Sequence, residues 1–368
     1  MDVDEAITLT QDRLAQEGET MGDLIGHFRS KVSPVLVGDA EWQRIVECAS
    51  GLPIILGALP FGFELPLHDR RPRADLGVSL ASSAATAGFF RAAAGADETA
   101  RIVTRLFGQM DAANSRLREI VGPKLMLEFD IGSAGEGERP LPGVFLRPGE
   151  RPIVGASGQV DDVNAVVDAL VSSVGWASND AERRQVQRAY LAQPDDTRLD
   201  SFGVFPSRER AIRLAVMGFK SQRETCTYLE AAGWPGDLSA VRGVMSRFRQ
   251  RANIVRSGAN IDVREDGLGP TLGLTLIVKQ RYTKDSRYWL DGLTDWDPFL
   301  GALGEEEIVV ADKLAALADW ASTPTPLFGK AGRYVLLRGI HHIKLVLAGG
   351  ALRQAKAYVF LVLSAGVT

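Results

Sequence analysis

The feature that most constrains the fold of this chain is a strand pattern of period two between His341 and Leu361. Apolar and polar residues alternate on both sides of a short turn that contains Gly349 and Gly350. Such alternation is typical of a strand that buries one face in a core. The opposite face carries side chains that suit an anion or a lumen, namely His342, Lys344, Lys356 and Tyr358. An exposed sheet face is the simpler alternative for one such hairpin. Whether the same alternation recurs elsewhere in the chain distinguishes a lumen from an exposed face.

The pattern recurs in four earlier pairs of segments, each of which predicts an antiparallel hairpin. These pairs are 61–68 with 73–80, 124–131 with 142–149, 201–207 with 211–217, and 259–265 with 271–278, where 266–270 is a strong turn signal. The third pair is the weakest, because 211–217 also fits a helical turn. Between the pairs, apolar spacing predicts amphipathic helices over 4–49, 82–121 with a break near Gly95, 159–192, 221–252 and 284–321.

This alternation of helices with hairpins predicts an α+β fold made of five ααββ units. Five hairpins supply ten strands, each with an apolar face that helices can cover and a second face that is polar. A closed antiparallel barrel with helices outside accounts for both faces and leaves no edge strand. Ten strands enclose a wider lumen than eight, so a ligand cavity fits inside. We predict one barrel domain over 1–368, with N-terminal helices in 4–49.

Composition excludes several classes of function. The net charge is −4 and basic residues form no run, so we expect neither nucleic acid nor a lipid surface as a partner. Cys48 and Cys226 lie far apart in helical patterns, which argues against a disulfide framework or a zinc site and fits a reducing cytoplasm. No run of 18 apolar residues is present, so no transmembrane helix is predicted.

Five ααββ units that close into a ten-stranded barrel resemble the aromatic prenyltransferases called ABBA enzymes. That family includes indole prenyltransferases of the dimethylallyl-tryptophan synthase type and the peptide prenyltransferases of cyanobactin pathways. Two local patterns are similar as well. The stretch PFGFELPL…RADLGVSL places Glu64 and Arg73 like a Glu on the first barrel strand followed by a strand with an Arg. The stretch AKAYVFL supplies Lys356-x-Tyr358, like the Lys-x-Tyr pairs that hold the diphosphate in that family.

The resemblance implies transfer of an allylic isoprenoid from its diphosphate to an aromatic acceptor, which could be a small molecule or part of a peptide. The resemblance does not firmly imply any cofactor, although Mg²⁺ could accompany the allylic diphosphate. Glu64 is then the candidate general base, since a partly desolvated carboxylate within reach of the departing proton suits that task. The alternative for Glu64 is a structural ion pair with Arg73 on the adjoining strand.

The remaining candidates are substrate-binding residues with inward-facing side chains. Basic and phenolic groups could neutralise a diphosphate leaving group, and these are Arg73, Arg213, Lys344, Lys356 and Tyr358. Carboxylates would share the lumen, and these are Asp75, Glu128, Asp130 and Asp262 beside Glu64. The alternative is that the cations only balance the carboxylates.

Two further details leave the function open at this stage. Glu128 and Asp130 could bind a metal or a cationic group, or could be an exposed pair at a loop end. His341 and His342 fit a strand end better than a set of metal ligands. Because the Lys-x-Tyr pattern occurs only on the last strand, a second hypothesis is a barrel that lacks diphosphate chemistry and binds or modifies a peptide or polar small molecule.

Overall fold

Helices and 3₁₀ turns separate successive strand pairs, as the apolar spacing predicts. The structure is a computed structural model, and it describes residues 3–133, 139–278, 296–320 and 322–365. The α-helices are α1 Val3–Leu14, α2 Met21–Gly26, α3 Asp39–Ala49, α4 Ala84–Ala93, α5 Glu98–Met110, α6 Arg116–Val121, α7 Val160–Ser173, α8 Asp180–Leu191, α9 Gln222–Ala232, α10 Leu238–Arg251, α11 Asp297–Gly304 and α12 Ala311–Ala318. Short 3₁₀ helices cover Arg29–Lys31, Ile54–Ala58 and Ile131–Ser133.

The helix boundaries follow from local capping chemistry. Polar side chains accept a hydrogen bond from a free backbone N–H in the first turn, as Asp97 does at the start of α5 and Ser221 at the start of α9. Helix α9 ends where Gly233 adopts a left-handed conformation with φ +85°, which glycine reaches without steric cost. These stops keep the helices short enough to pack along the outside of the sheet.

One sheet contains all the strands of the described residues. They are β1 Phe61–Pro66, β2 Asp75–Ala81, β3 Lys124–Phe129, β4 Gly143–Leu146, β5 Ile153–Val154, β6 Arg198–Val204, β7 Ile212–Phe219, β8 Ile254–Arg264, β9 Gly267–Val278, β10 Ser322–Gly329, β11 Gly332–Ala348 and β12 Ala351–Ser364. The hydrogen-bonded order is β11–β12–β1–β2–β3–β4–β6–β7–β8–β9, and β9 pairs again with β11. Ten antiparallel strands therefore close into a barrel, which confirms the predicted fold.

The two faces of the barrel wall have opposite character, as the alternation predicts. The outward residues of β2, such as Leu76, Val78 and Leu80, are at most 1% exposed and belong to the core beneath the helices. The inward residues of the same strand, Asp75 and Gly77, are only partly buried. The hydrophobic core is thus the layer between barrel and helices, and the polar faces are left to line the lumen.

Several details differ from the sequence-based expectations. Residues 82–121 form three helices and not two, because Asp111 ends α5 and Ser115 caps a separate α6. The hairpin β8–β9 turns at residues 265–266, since Arg264 pairs with Gly267, so the predicted turn over 266–270 lies mostly within β9. By contrast, the strand predicted over 211–217 is confirmed, since β7 begins at Ile212, and the helical alternative is wrong. The helical prediction over 284–321 lies partly outside the described residues, which there contain α11 and α12.

Two strands are additional to the ten of the barrel. Strand β5 pairs only with β6, and β10 pairs with the first part of β11. Strand β11 is 17 residues long, so its start accepts β10 while its Lys344–Leu347 segment pairs with β9. No helix among the described residues is both long and apolar enough to cross a lipid bilayer.

Candidate functional site

The centre of the lumen is a hydrogen-bonded group formed by β1, β11 and β12, which we call the lumen cluster: Glu64, Lys344, Lys356 and Tyr358. Glu64 lies directly opposite Tyr358, and Lys344 lies directly opposite Lys356. The Glu64 carboxylate accepts a hydrogen bond from Lys356 Nζ at Oε1 and from the Tyr358 hydroxyl at Oε2. The Tyr358 oxygen in turn accepts from Lys344 Nζ at 2.6 Å. All four predicted residues therefore meet in the lumen.

Mutual charge decides the ionisation of this cluster. Burial alone would raise the pKa of Glu64, but the ammonium groups of Lys356 and Lys344 and the two hydrogen bonds hold that pKa at about 2. Burial lowers the pKa of Lys344 to about 8, with help from the charge of Arg213 and against the attraction of Glu64. Burial and the Glu64 charge raise the pKa of Tyr358 well above its usual range. At neutral pH the cluster contains a carboxylate, a neutral phenol and two ammonium groups.

Two arginine–carboxylate forks lie beside the lumen cluster. Arg213 on β7 donates from Nε and Nη2 to its cross-strand neighbour Asp262 at 2.8 and 3.0 Å. Arg208, in the β6–β7 loop, forms a similar fork with Asp130 that includes a 2.6 Å bond from Nε. The ring of Phe205 lies beneath both guanidinium groups, at 3.8 Å from Arg208 Cζ and 4.8 Å from Arg213 Cζ. Such planar forks match phosphate oxygens as well as carboxylates.

Two carboxyl groups of the lumen have no cation in direct contact. Asp75 lies opposite Glu64 and accepts a 3.0 Å hydrogen bond from the backbone N–H of Ile131. Burial and the nearby charges of Glu64, Asp130 and Glu128 raise the pKa of Asp75 to about 8. Burial and Glu64 raise the pKa of Glu128 to about 7. At neutral pH Asp75 therefore carries a proton and Glu128 is close to its midpoint.

Solvent reaches this enclosed region. The side chains of Lys356, Arg213 and Asp262 are 24, 23 and 26% exposed, whereas that of Glu64 is 4% exposed. Lys356 thus faces an accessible lumen while its partner Glu64 lies against the wall, and both members of the Arg213–Asp262 pair are accessible.

Arg73 is the predicted site residue that does not join the others. It precedes β2 and forms an ion pair with Asp69 in the β1–β2 loop, with Nε 2.6 Å from Oδ2 and the side chain 41% exposed. The alternative of a structural pair between Arg73 and Glu64 is therefore wrong, because Glu64 is held by Lys356 and Tyr358. The predicted strand 73–80 began at Arg73, whereas β2 begins two residues later, at Asp75.

Sequence reasoning missed Arg208, Phe205 and the role of His342. Arg208 lies in a hairpin loop, where no periodicity indicates which way a side chain faces. Phe205 continues the alternation of β6 beyond Gly203, a signal that was available. His342 shares the inward face of Lys344, and its ring stacks on Tyr358 with centroids 4.2 Å apart and 9° between the planes.

The donor set for Mg²⁺ is poor within the described residues. No three His, Cys, Asp or Glu side chains there converge as a metal site. Glu64, Asp130 and Asp262 each already bind a cationic side chain. We therefore assign no Mg²⁺ ligands and derive no chemical step through this ion.

The fold is shared with aromatic prenyltransferases of known structure. No protein-family model matches the chain, and no curated protein matches it in sequence. A 6-dimethylallyltryptophan synthase from Micromonospora olivasterospora, crystallised with DMASPP and Trp, superposes with a TM-score of 0.52 at 16% identity, over 93% of this chain and 97% of that one. The apo form of the prenyltransferase PriB matches with a TM-score of 0.52 at 16% identity, over 94% and 96%. A further 6-dimethylallyl tryptophan synthase superposes with a TM-score of 0.51 at 15% identity, over 93% of this chain and 96% of that one. At this identity the likeness establishes the architecture: the chain has the ABBA-type prenyltransferase barrel.

Proposed function

We propose that this protein is an aromatic prenyltransferase that moves an allylic isoprenoid from its diphosphate to an electron-rich aromatic ring. The fold likeness supports the reaction class, since one structural relative was crystallised with DMASPP and Trp. Fold alone does not determine chemistry, so the proposal depends on the lumen cluster. The observation that carries it is the pair Lys344 and Lys356, directly opposite each other beside Tyr358 in the barrel lumen.

The charge balance of the lumen favours an anion. Four cations face it, from Lys344, Lys356, Arg208 and Arg213. Of the five carboxyl groups nearby, Glu64, Asp130 and Asp262 are paired with cations, while the raised pKa values keep Asp75 protonated and Glu128 partly protonated near neutral pH. The carboxylate-rich sequence pattern therefore does not make a negative lumen. An ammonium group supplies a point charge, and a guanidinium group supplies two parallel hydrogen bonds. Both stabilise a diphosphate that gains charge as it leaves.

The proposed reaction proceeds by ionisation of the donor. The allylic C–O bond breaks and its electron pair leaves with the diphosphate, whose new charge Lys344 and Lys356 balance. A π-electron pair of the acceptor ring then forms a bond to the allylic carbon. The ring finally loses a proton to a base, which restores aromaticity. Glu64 is the candidate base from the sequence; in the structure it also holds Lys356 and Tyr358 in place.

The acceptor is proposed as an aromatic small molecule, and an aromatic side chain of a peptide fits the same chemistry. The exposure of Lys356 and Arg213 to the lumen allows either kind of molecule to approach the cluster. Product analysis with free tryptophan and with a tryptophan-containing peptide distinguishes the two.

The test combines binding with turnover. Dimethylallyl diphosphate should raise the melting temperature, because a ligand that binds only the native state stabilises it, and product should form with an aromatic acceptor. Lys356→Ala should reduce the thermal shift. Lys220→Ala is the matched control, since Lys220 is 46% exposed and pairs with Asp196 outside the lumen. If the diphosphate gives no shift and the wild-type protein forms no prenylated product, the cations only balance carboxylates and the proposal fails.

A further inference from the structure

Glu128 is a buried carboxyl group without a partner. The residue is 6% exposed, faces the lumen from β3, and forms no hydrogen bond or ion pair with the residues that the structure describes. A buried carboxyl group normally has a hydrogen-bond partner in the protein or in water. Glu64, two strands away on β1, is the contrast, since both of its carboxylate oxygens accept hydrogen bonds from the protein. The free oxygens of Glu128 are therefore the ones available to a ligand.

Open space lies directly beside this carboxyl group. Glu128 is opposite Gly77 on β2, and Gly77 is opposite Gly62 on β1, so two neighbouring positions of the lumen wall carry no side chain. A Cβ added at Gly77 would have one neighbour within 4 Å, the carbonyl oxygen of Gly62 at 4.0 Å. We call the space over Gly77 the glycine recess; the Glu128 carboxyl group lies on one side of it and Gly62, which has no side chain, lies on the other.

We propose that an aromatic acceptor occupies the glycine recess and that Glu128 accepts the ring proton released after prenyl transfer. This inference rests on the proposed prenyl transfer and differs from the Glu64 assignment that the sequence suggests. In the step concerned, the C–H bond at the prenylated carbon breaks, its electron pair returns to the ring, and the proton passes to a Glu128 carboxylate oxygen. Water then removes that proton. No oxidant or further reactant is needed.

The acid–base properties of the two carboxyl groups support this division of roles. A general base works best when its pKa lies near the working pH. The pKa of Glu128 is raised to about 7, whereas that of Glu64 is held at about 2. Proton transfer to Glu64 would also break its contacts with Lys356 and Tyr358. Glu64 is thus a positioning residue for the two groups that face the diphosphate.

The charges around Glu128 come from several walls of the lumen. Burial has the largest effect on its pKa, followed by Glu64 of β1, which raises it, and by Lys344 of β11, Arg213 of β7 and Arg208 of the β6–β7 loop, which lower it. Asp75 of β2 and Lys356 and Tyr358 of β12 also interact with it electrostatically. If Glu128 is the base, activity should rise with pH as its carboxyl group loses a proton. That titration depends on all of these neighbouring charges together, and its midpoint should lie near pH 7.

The experiment compares Glu128→Gln with Glu64→Gln in the full chain, with dimethylallyl diphosphate as donor. L-Tryptophan, L-tyrosine and a dihydroxynaphthalene serve as acceptor probes. Glu128→Gln should lower kcat at least about 100-fold, the usual effect of losing a general base, with unchanged affinity for a thiolo analogue of the donor. It should also raise the deuterium isotope effect with ring-deuterated acceptor, because removal of the ring proton becomes rate-limiting. The wild-type rise in kcat/KM near pH 7 should disappear.

Each outcome decides the matter. A Glu128→Gln protein with near-normal kcat, or an isotope effect that rises in Glu64→Gln instead, overturns the role of Glu128 and leaves prenyl transfer standing. Weak donor binding by Glu128→Gln with an unchanged isotope effect shows a structural role and also overturns the inference. If the wild-type protein prenylates none of the three probes, the proposed function fails and the inference fails with it. Melting curves of both variants verify that they fold.

Discussion

Tyr358 and Glu64 lie directly opposite each other on β12 and β1, and the phenol donates a hydrogen bond to the carboxylate while its oxygen accepts one from Lys344. One hydroxyl group thus connects the carboxylate on β1 to the ammonium group of Lys344 on β11, with β12 between the two strands. The cluster depends on this bridge because a phenol both donates and accepts.

Tyr358→Phe should therefore weaken both stability and turnover. Loss of one hydrogen bond to a buried charge costs about 1–3 kcal/mol, while the stacking of the ring on His342 is retained. Turnover should fall because Lys344 loses its fixed position. Tyr334→Phe is a matched control, since the Tyr334 hydroxyl donates to Glu17 at 3.0 Å outside the cluster. Chemical denaturation and steady-state kinetics measure the two effects; normal turnover in Tyr358→Phe would contradict the bridging role.

Lys356→Ala should lower the rate through the leaving group. A charge-assisted contact that strengthens as the diphosphate departs is worth roughly 2–4 kcal/mol in the barrier, or about 30- to 1000-fold in kcat. Stability should fall as well, because Glu64 loses its ammonium partner in a buried setting. Lys356→Arg keeps the charge and should retain part of the activity with altered geometry. A destabilised Lys356→Ala protein with normal turnover per folded molecule would refute the diphosphate role.

Lys344 should impose an alkaline limit on donor binding. Its pKa is lowered to about 8, chiefly by burial, so the free enzyme loses this positive charge as pH rises through that value. The kcat/KM for the donor, which reports the free enzyme, should then decline above about pH 8. Lys344→Arg keeps its charge throughout and should remove the decline. Asp75→Asn is the control; if that variant removes the decline, the limit belongs to Asp75.

Asp75 should make the fold less stable as pH rises. Its pKa is raised to about 8 in the folded protein and lies near 3.9 in an unfolded chain, so between these values the folded state binds the additional proton and stability falls with pH. Asp75→Asn removes this effect. Relative to the wild type, the variant should gain at least about 1 kcal/mol between pH 5.5 and pH 8, the equivalent of one pKa unit.

A control of opposite sign is available for that measurement. Burial would raise the pKa of Asp262, but its hydrogen bonds and ion pair with Arg213 lower that pKa below its usual value. Asp262→Asn should therefore destabilise the protein at both pH values. A constant difference between Asp75→Asn and the wild type across the pH range would contradict a raised pKa at Asp75.

Gly77 should control the size of the acceptor. An alanine there meets no close neighbour, so Gly77→Ala should change stability by less than about 0.5 kcal/mol. Gly77→Val should fill the glycine recess and raise the acceptor KM while the donor KM stays constant. Gly88→Ala, on α4 with open space around its Cβ, is the control for a glycine change outside the barrel. Equal acceptor KM values in Gly77→Val and the wild type would show that the recess does not hold the acceptor.

The strand pattern predicted the barrel because the two faces of its wall have different surroundings. Leu76 and Val78 pack against the helices, whereas Asp75 faces the lumen. This difference appears in the sequence as an alternation of apolar and polar residues with a period of two. The same logic placed Glu64, Lys356 and Tyr358 in the lumen. It could not place Arg208, which belongs to a loop, or assign Arg73, whose strand begins two residues later. Nor could it identify Glu128 as unpartnered, because that depends on which long side chains reach each carboxylate.

Strand β1 pairs with β12, and this pairing brings together Glu64 and Lys356, residues 292 positions apart in the chain. A ribosome must therefore release almost the whole polypeptide before the two halves of the cluster can meet. Until β12 is in place, β1 is an open edge of the sheet, which exposes unpaired backbone groups to other chains. Completion of the lumen cluster and removal of the aggregation hazard are thus the same event, so a chain truncated before β12 should lack the cluster and be prone to aggregate.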